Sequence, residues 1–139
     1  MGVEPTEQLT GGQIEDLWRL YRAQWWSRER GLEDIWRMLE HTDVVIALAD
    51  AETGRLVAFA RVLTDYVYKA LVNDVMVDDA YRGTGLGEEL MDAVLEHPAL
   101  RSVRHFELYC LPDMVPFYAK WGFTDDLDGL RFMRLARDA

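Results

Sequence analysis

The chain is 139 residues long and half apolar, with five Trp, six Tyr and five Phe, enough to bury a core as one domain over residues 1–139 and unlike disorder in composition. Fifteen Lys and Arg against 25 Asp and Glu leave a formal charge of -10, which repels phosphate backbones and anionic lipid and argues against nucleic-acid and membrane partners. One cysteine and three scattered histidines provide neither an intrachain disulfide nor metal-ligand spacing, so no metal is expected.

The elements follow in chain order. "TGGQIEDLWRLYRAQWW" places Ile14, Leu17, Trp18 and Tyr21 at three- and four-residue steps, and Thr10 with Gln13 gives a capping-box start, so an amphipathic helix is predicted. Gly31 breaks the pattern before "LEDIWRMLE", where Leu32, Ile35, Trp36 and Leu39 repeat it in a second helix. "DVVIALAD", the turn "AETG" and "RLVAFARVLTD" read as an antiparallel hairpin, and "YVYKALVNDVMV", from Tyr66 to Val77, as a third strand beside it. The apolar run Val44 to Ala49 is too short to span a bilayer, and "MGVEPTEQLT" lacks the basic flank and apolar run of a signal peptide, so the expected location is cytoplasmic.

"LGEELMDAVLEH" sets Leu86, Leu90, Met91, Val94 and Leu95 on one helical face, with Pro98 just past its end. "VRHFELYC" reads as a strand, "PDMVPFYAKWG" as a helix opened by Pro112 and closed by Gly122, and "LRFMRLA" as a last alternating strand. The order α-α-β-β-β-α-β-α-β, with an extra strand in question before Leu9, implies an α/β fold, a mixed sheet with helices on both faces.

Between the third strand and its following helix lies "VDDAYRGTGLGEEL". A glycine-rich turn into a helix N-terminus presents backbone N–H groups and positive dipole potential, with no Cβ to hinder close approach, and Arg82 adds a full charge. An anionic phosphate is the ligand such a turn suits. A nucleotide P-loop needs Lys after its last glycine, where Glu88 stands, and the dinucleotide fingerprint fails at its third glycine and lies past mid-chain.

Arg82, Gly83, Thr84, Gly85, Leu86 and Gly87 after "VMVDDAY" fit R-x-x-G-x-G, and about 30 residues downstream stands "FYAKWGF". In these two segments and in element order the chain resembles the GNAT superfamily of N-acetyltransferases over nearly its whole length. The resemblance implies a mostly antiparallel sheet whose middle strands splay, with acetyl coenzyme A as co-substrate. Its diphosphate would lie on the amides of Arg82 to Gly87, and its pantetheine arm beside the strand ending at Met76 and Val77. The acetyl group would pass by direct attack to a primary amine of a small molecule or peptide.

Tyr118 matches the motif tyrosine and is the expected acid for the thiolate, the plain alternative being a buried helix tyrosine. Asp74 is the expected base, on the face of Val72 and Met76 unless a bulge intervenes; a hydrogen-bonded strand aspartate is the alternative. Glu107 and bound water are the other bases to weigh. Trp25, Trp26, Tyr66 and Tyr68 would wall the acceptor pocket, although core packing of at least one Trp is the plainer reading. Cys110 is expected to be small and buried. Many family members carry Asn seven residues before the motif tyrosine, where this chain has Leu111, a departure at a cofactor-contacting position. Two other readings stand beside the enzyme: a non-catalytic coenzyme-A-binding or interaction domain, and a homodimer joined through the paired aromatics.

Overall fold

A computed structural model describes residues 2–137, which fall into two compact units divided between Leu108 and Tyr109. In the first unit the strand in question exists: β1, Val3–Thr6. Helix α1, Gly11–Arg22, starts as expected. Thr10 Oγ1 accepts from Gln13 N–H at 3.1 Å while Gln13 Oε1 accepts from Thr10 N–H at 3.0 Å, satisfying two of the donors that a helix start leaves open. Helix α2, Leu32–Glu40, begins after Gly31 with no side-chain cap but with Glu33 and Asp34 in its first turn, where negative charge suits the dipole.

Strands β2 (Val44–Asp50), β3 (Leu56–Thr64) and β4 (Lys69–Val77) extend the sheet antiparallel, and β5 (His105–Glu107) runs parallel to β4, in the order β1-β2-β3-β4-β5. Ala47, Phe59 and Met76 align across one face and pack with Ile14, Leu17, Leu20, Tyr21 and Ile35 of α1 and α2. Alternate residues Ile46, Leu48, Ala58, Ala60 and Val62 are equally buried. Helix α3, Leu86–Leu95, lies against β2, β3 and β4 and buries Leu86, Leu90, Met91 and Val94, so it covers that opposite face.

Two irregularities in β4 position the site. First, β5 pairs only with Lys69, Ala70 and Leu71, while β4 runs on to Val77; this is the splay. Second, the register with β3 jumps from Arg61↔Asn73 to Phe59↔Met76, so Asp74 and Val75 together face Ala60, which defines a β-bulge. Asp74 takes a left-handed φ of 56° there. The bulge intervenes as the sequence reading allowed for. Val72 aligns with Val62 on one face, and Met76 aligns with Phe59 on the other.

Tyr66 to Tyr68 form a turn instead of the start of β4. The Asp65 carboxylate accepts N–H groups from Val67, Tyr68 and Lys69, at 2.9, 2.7 and 3.1 Å, and a side chain that serves three amides outcompetes strand pairing. Trp36 is exposed rather than on the inner face of α2.

The second unit opens with a 3-10 turn, Pro112–Met114, leading into α4, Val115–Ala119. Gly122 closes it with φ of 93° and an N–H donated to the Ala119 carbonyl at 3.0 Å, the left-handed ending that glycine allows. The last expected strand does not form: residues 130–136 have no strand pairing, and Leu130, Phe132, Met133 and Leu135 are exposed. Alternating apolar residues confer a preference for a ladder, but the preference acts only where a partner strand presents its edge.

Candidate active site

The glycine turn sits at the C-terminal end of β4. Asp78 N–H donates to the Val57 carbonyl at 2.8 Å, and the Tyr81 hydroxyl donates to Asp50 Oδ2 at 2.8 Å, so the turn is anchored to β3 and to the end of β2. Asp78 also caps the 3-10 turn Asp79–Tyr81 through Ala80 N–H. Gly83 and Gly85 hold φ of 78° and 86°, and a Cβ at either would meet nothing within 4 Å. Glycine is needed there for conformation, and the space above the turn is open. Gly85 is the N-cap of α3 and offers no side-chain cap, which leaves the N–H groups of Leu86 and Gly87 at the helix start for an external acceptor.

Within the predicted set, roles divide. Thr84 spends its hydroxyl on the Tyr81 carbonyl, and Leu86 is buried, so each offers a ligand its backbone alone. Arg82 N–H is already donated to the Asp79 carbonyl, and its guanidinium pairs with Asp79 at 2.8 Å on the exposed surface. Such a surface pair is weak and exchanges readily for a stronger anion. Met76 is buried and Val77 half-buried, both in the stretch of β4 beyond β5. A cleft of about 170 Å³ adjoins this end of β4, lined by Asp16, Arg19, Leu20, Val77, Asp78 and Asp79 among others.

Asp74 occupies a denser setting. Its Oδ2 accepts from the Tyr21 hydroxyl at 2.7 Å, Arg30 Nη1 at 2.9 Å and Arg61 Nε at 2.6 Å. Burial pushes its pKa up, but the Arg61 hydrogen bond and charge, the Tyr21 hydroxyl and the Arg30 charge outweigh it and hold the carboxyl below its ordinary value. A carboxylate so stabilised is a poor proton acceptor near neutrality. Its surroundings are those of the hydrogen-bonded strand aspartate. Glu107 is exposed and pairs with Lys69 at 3.5 Å.

In the second unit Tyr118 is buried, its ring 5.0 Å from Phe117 and 6.1 Å from Phe123. Burial, with a smaller contribution from Cys110, pushes its pKa up to about 12, so the phenol keeps its proton across the working range. Cys110 is exposed, not buried as expected, and burial of its sulfur with the charges of Asp113 and Asp125 raises its thiol pKa; a thiol shifted this way is not an activated nucleophile.

The four predicted aromatics belong to two loops. Trp25 and Trp26 follow the end of α1 and are exposed, with Trp26 edge-on to Tyr21 at 6.2 Å. Tyr66 and Tyr68 occupy the β3–β4 turn, where Tyr66 reaches the Asp43 carbonyl at 3.3 Å and Arg104 lies over Tyr68 at 5.8 Å. Trp26 is joined to Asp74 through Arg30, whose guanidinium lies 5.5 Å from the Trp26 ring and 4.7 Å from that of Tyr21. Sequence reading missed Tyr21, Arg30 and Arg61. Tyr21 was hidden in an apolar stripe and Arg30 in a polar loop, but Arg61 stood as a lone charge within "LVAFARVLT", the kind of strand interior where a charge needs a partner.

Comparison with known proteins points one way. The model of the acetyltransferase (GNAT) family matches residues 12–123. GCN5-related N-acetyltransferase 1, chloroplastic, of Arabidopsis thaliana is 35% identical over 99 residues, covering 71% of this chain and 50% of that protein. Serotonin N-acetyltransferase 2, chloroplastic, of Oryza sativa subsp. japonica is 38% identical over 107 residues, covering 76% and 54%. The chain thus spans about half the length of these curated relatives. A crystal structure from Xanthomonas campestris pv. campestris, of a protein assigned to the same family, superposes with a TM-score of 0.80 at 32% identity, covering 97% of this chain and 94% of that one.

Proposed function

We propose a reaction from the premise that this chain belongs to the acetyltransferase (GNAT) family, whose co-substrate is acetyl coenzyme A: it moves the acetyl group to a primary amine of a small molecule or peptide. The observation that carries the reading is the open glycine turn mounted on the end of β4, where β4 has outrun β5. In this reading the amides from Gly83 to Gly87 take the diphosphate, with Arg82 exchanging Asp79 for it. The pantetheine amides add to the edge of β4 beyond Leu71 as a short extra strand. Strand N–H groups near Met76 polarise the thioester oxygen.

The neutral amine attacks the carbonyl carbon, the C–N bond forms and the C–S bond breaks. Tyr118 gives its proton to the departing thiolate and is restored by the one proton the amine gives up, relayed to it through water. Asp74 is assigned a positioning role, since three donors already hold it. Trp25, Trp26, Tyr66 and Tyr68 remain the aromatic candidates for the acceptor side, and one relative's name, serotonin N-acetyltransferase, supports testing aromatic amines first. Thiol release from acetyl coenzyme A across an amine panel tests the reaction. Tyr118→Phe is expected to lower kcat about 100-fold with KM for acetyl coenzyme A little changed. Coenzyme A binding with no amine turned over would instead favour the non-catalytic binding domain.

A further inference from the structure

The cluster around Asp74 is out of electrical balance. Two guanidinium groups, Arg30 and Arg61, share one carboxylate, and among the described residues no other carboxylate lies within ion-pair distance of either. Arg30 uses Nη1 and Arg61 uses Nε on Asp74. Among the described residues nothing accepts from Arg30 Nε or Nη2, while Arg61 also interacts with the Tyr21 hydroxyl. The free edge of Arg30 therefore faces solvent, and Arg61 is the more enclosed of the two, its side chain 15% exposed. The Arg30 side chain is 35% exposed, with its ring-facing sides occupied by Tyr21 and Trp26.

Donors in this state suit an oxyanion. Guanidinium edges present parallel N–H groups matched to carboxylate and phosphate oxygens. The aromatic faces beside Arg30 exclude water on two sides, which strengthens a charge-assisted bond at its edge. The cluster lies on β4 at Asp74, just past the last residue paired to β5, and next to the Trp25–Trp26 loop. The chain as a whole carries -10, so a surplus positive charge at this point is a local feature that the global field opposes.

Resting on the proposed amine acetylation, we infer that Arg30 and Arg61 form an oxyanion subsite that selects acceptors carrying a carboxylate or phosphate close to the reacting amine. Polycations are disfavoured by the same surplus charge. Arg30 is then a specificity-determining residue and Asp74 fixes both guanidinium groups in place.

The test uses the whole chain and matched acceptors that differ in one anionic group: tyrosine against tyramine for the carboxylate arm, O-phosphoethanolamine against ethanolamine for the phosphate arm, and spermidine as the polycation. The anionic member of at least one pair is expected to lead in kcat/KM by about tenfold, through KM, with the lead shrinking as salt rises. Arg30→Met should erase that lead while leaving KM for acetyl coenzyme A within about twofold, and Arg30→Lys should restore part of it. Equal or better turnover of the members lacking the anionic group, and of spermidine, by the unmodified protein overturns the inference, whatever the variants do. So does an Arg30→Met variant that loses both members of a pair equally. Should no amine be acetylated, the proposed reaction fails by itself, and the subsite is judged by titrating 3-phenylpropanoate against its neutral amide while following tryptophan fluorescence. Tighter binding of the carboxylate upholds it, and equal binding ends it.

Discussion

At the residue scale Asp74 shows how a side chain's place in a strand leaves its chemistry open. Its position in "LVNDVMV" marked it as central to β4, but its partners come from distant parts of the chain, Tyr21, Arg30 and Arg61, and no local pattern announces them. A left-handed φ at a non-glycine residue costs about 1–3 kcal/mol and persists only where surroundings over-determine it; three hydrogen bonds to one oxygen do so here. Asp74→Asn leaves two arginines without an anion and is expected to cost about 3 kcal/mol in urea unfolding, against about 1–2 kcal/mol for Tyr21→Phe. The pH dependence has a definite sign. The folded-state pKa lies below the unfolded value of about 3.9, so the stabilisation is complete above that value and fades as pH falls through the folded one. The variant should lack this acid-side slope, and an unchanged slope would remove Asp74 as its source.

At the element scale, periodicity resolved what depends on neighbours in sequence. The capping box at Thr10, the hairpin, α3 and the glycine that ends α4 were all legible because each is specified within a few residues. What escaped depended on partners elsewhere: whether the bulge forms, the length of β5 and the unformed strand at residues 130–136. The two irregularities of β4 together account for the site. The short pairing with β5 frees the strand edge, and the bulge brings Asp74 to the arginines on the side of α1 and α2. The glycine turn is the third piece, and its chemistry can be probed by one methyl group. Gly85→Ala meets no steric obstacle, so its cost is the left-handed backbone alone, about 1–2 kcal/mol. Calorimetry should show a further loss of coenzyme A affinity, about tenfold or more, if the turn needs that conformation to point its amides; undiminished affinity would separate the turn from the cofactor.

At the scale of the whole molecule, the acidic balance argues against nucleic acid and lipid as partners, while the proposed acceptor preference rests on the local positive surplus beside Trp26. Family membership and fold agree along residues 12–123, and the glycine turn and aromatic motif that carried the resemblance both lie within that span. The chain covers about half of its curated relatives, so its activity is measured on this chain and not inherited from them. The most direct measurement is a titration with coenzyme A followed at backbone amides by two-dimensional proton–nitrogen NMR. Saturating shifts are predicted to be largest at Gly83, Gly85 and Gly87 and along β4 from Val72 to Val77. Glycine amides that stay still while the ligand binds elsewhere would contradict the account.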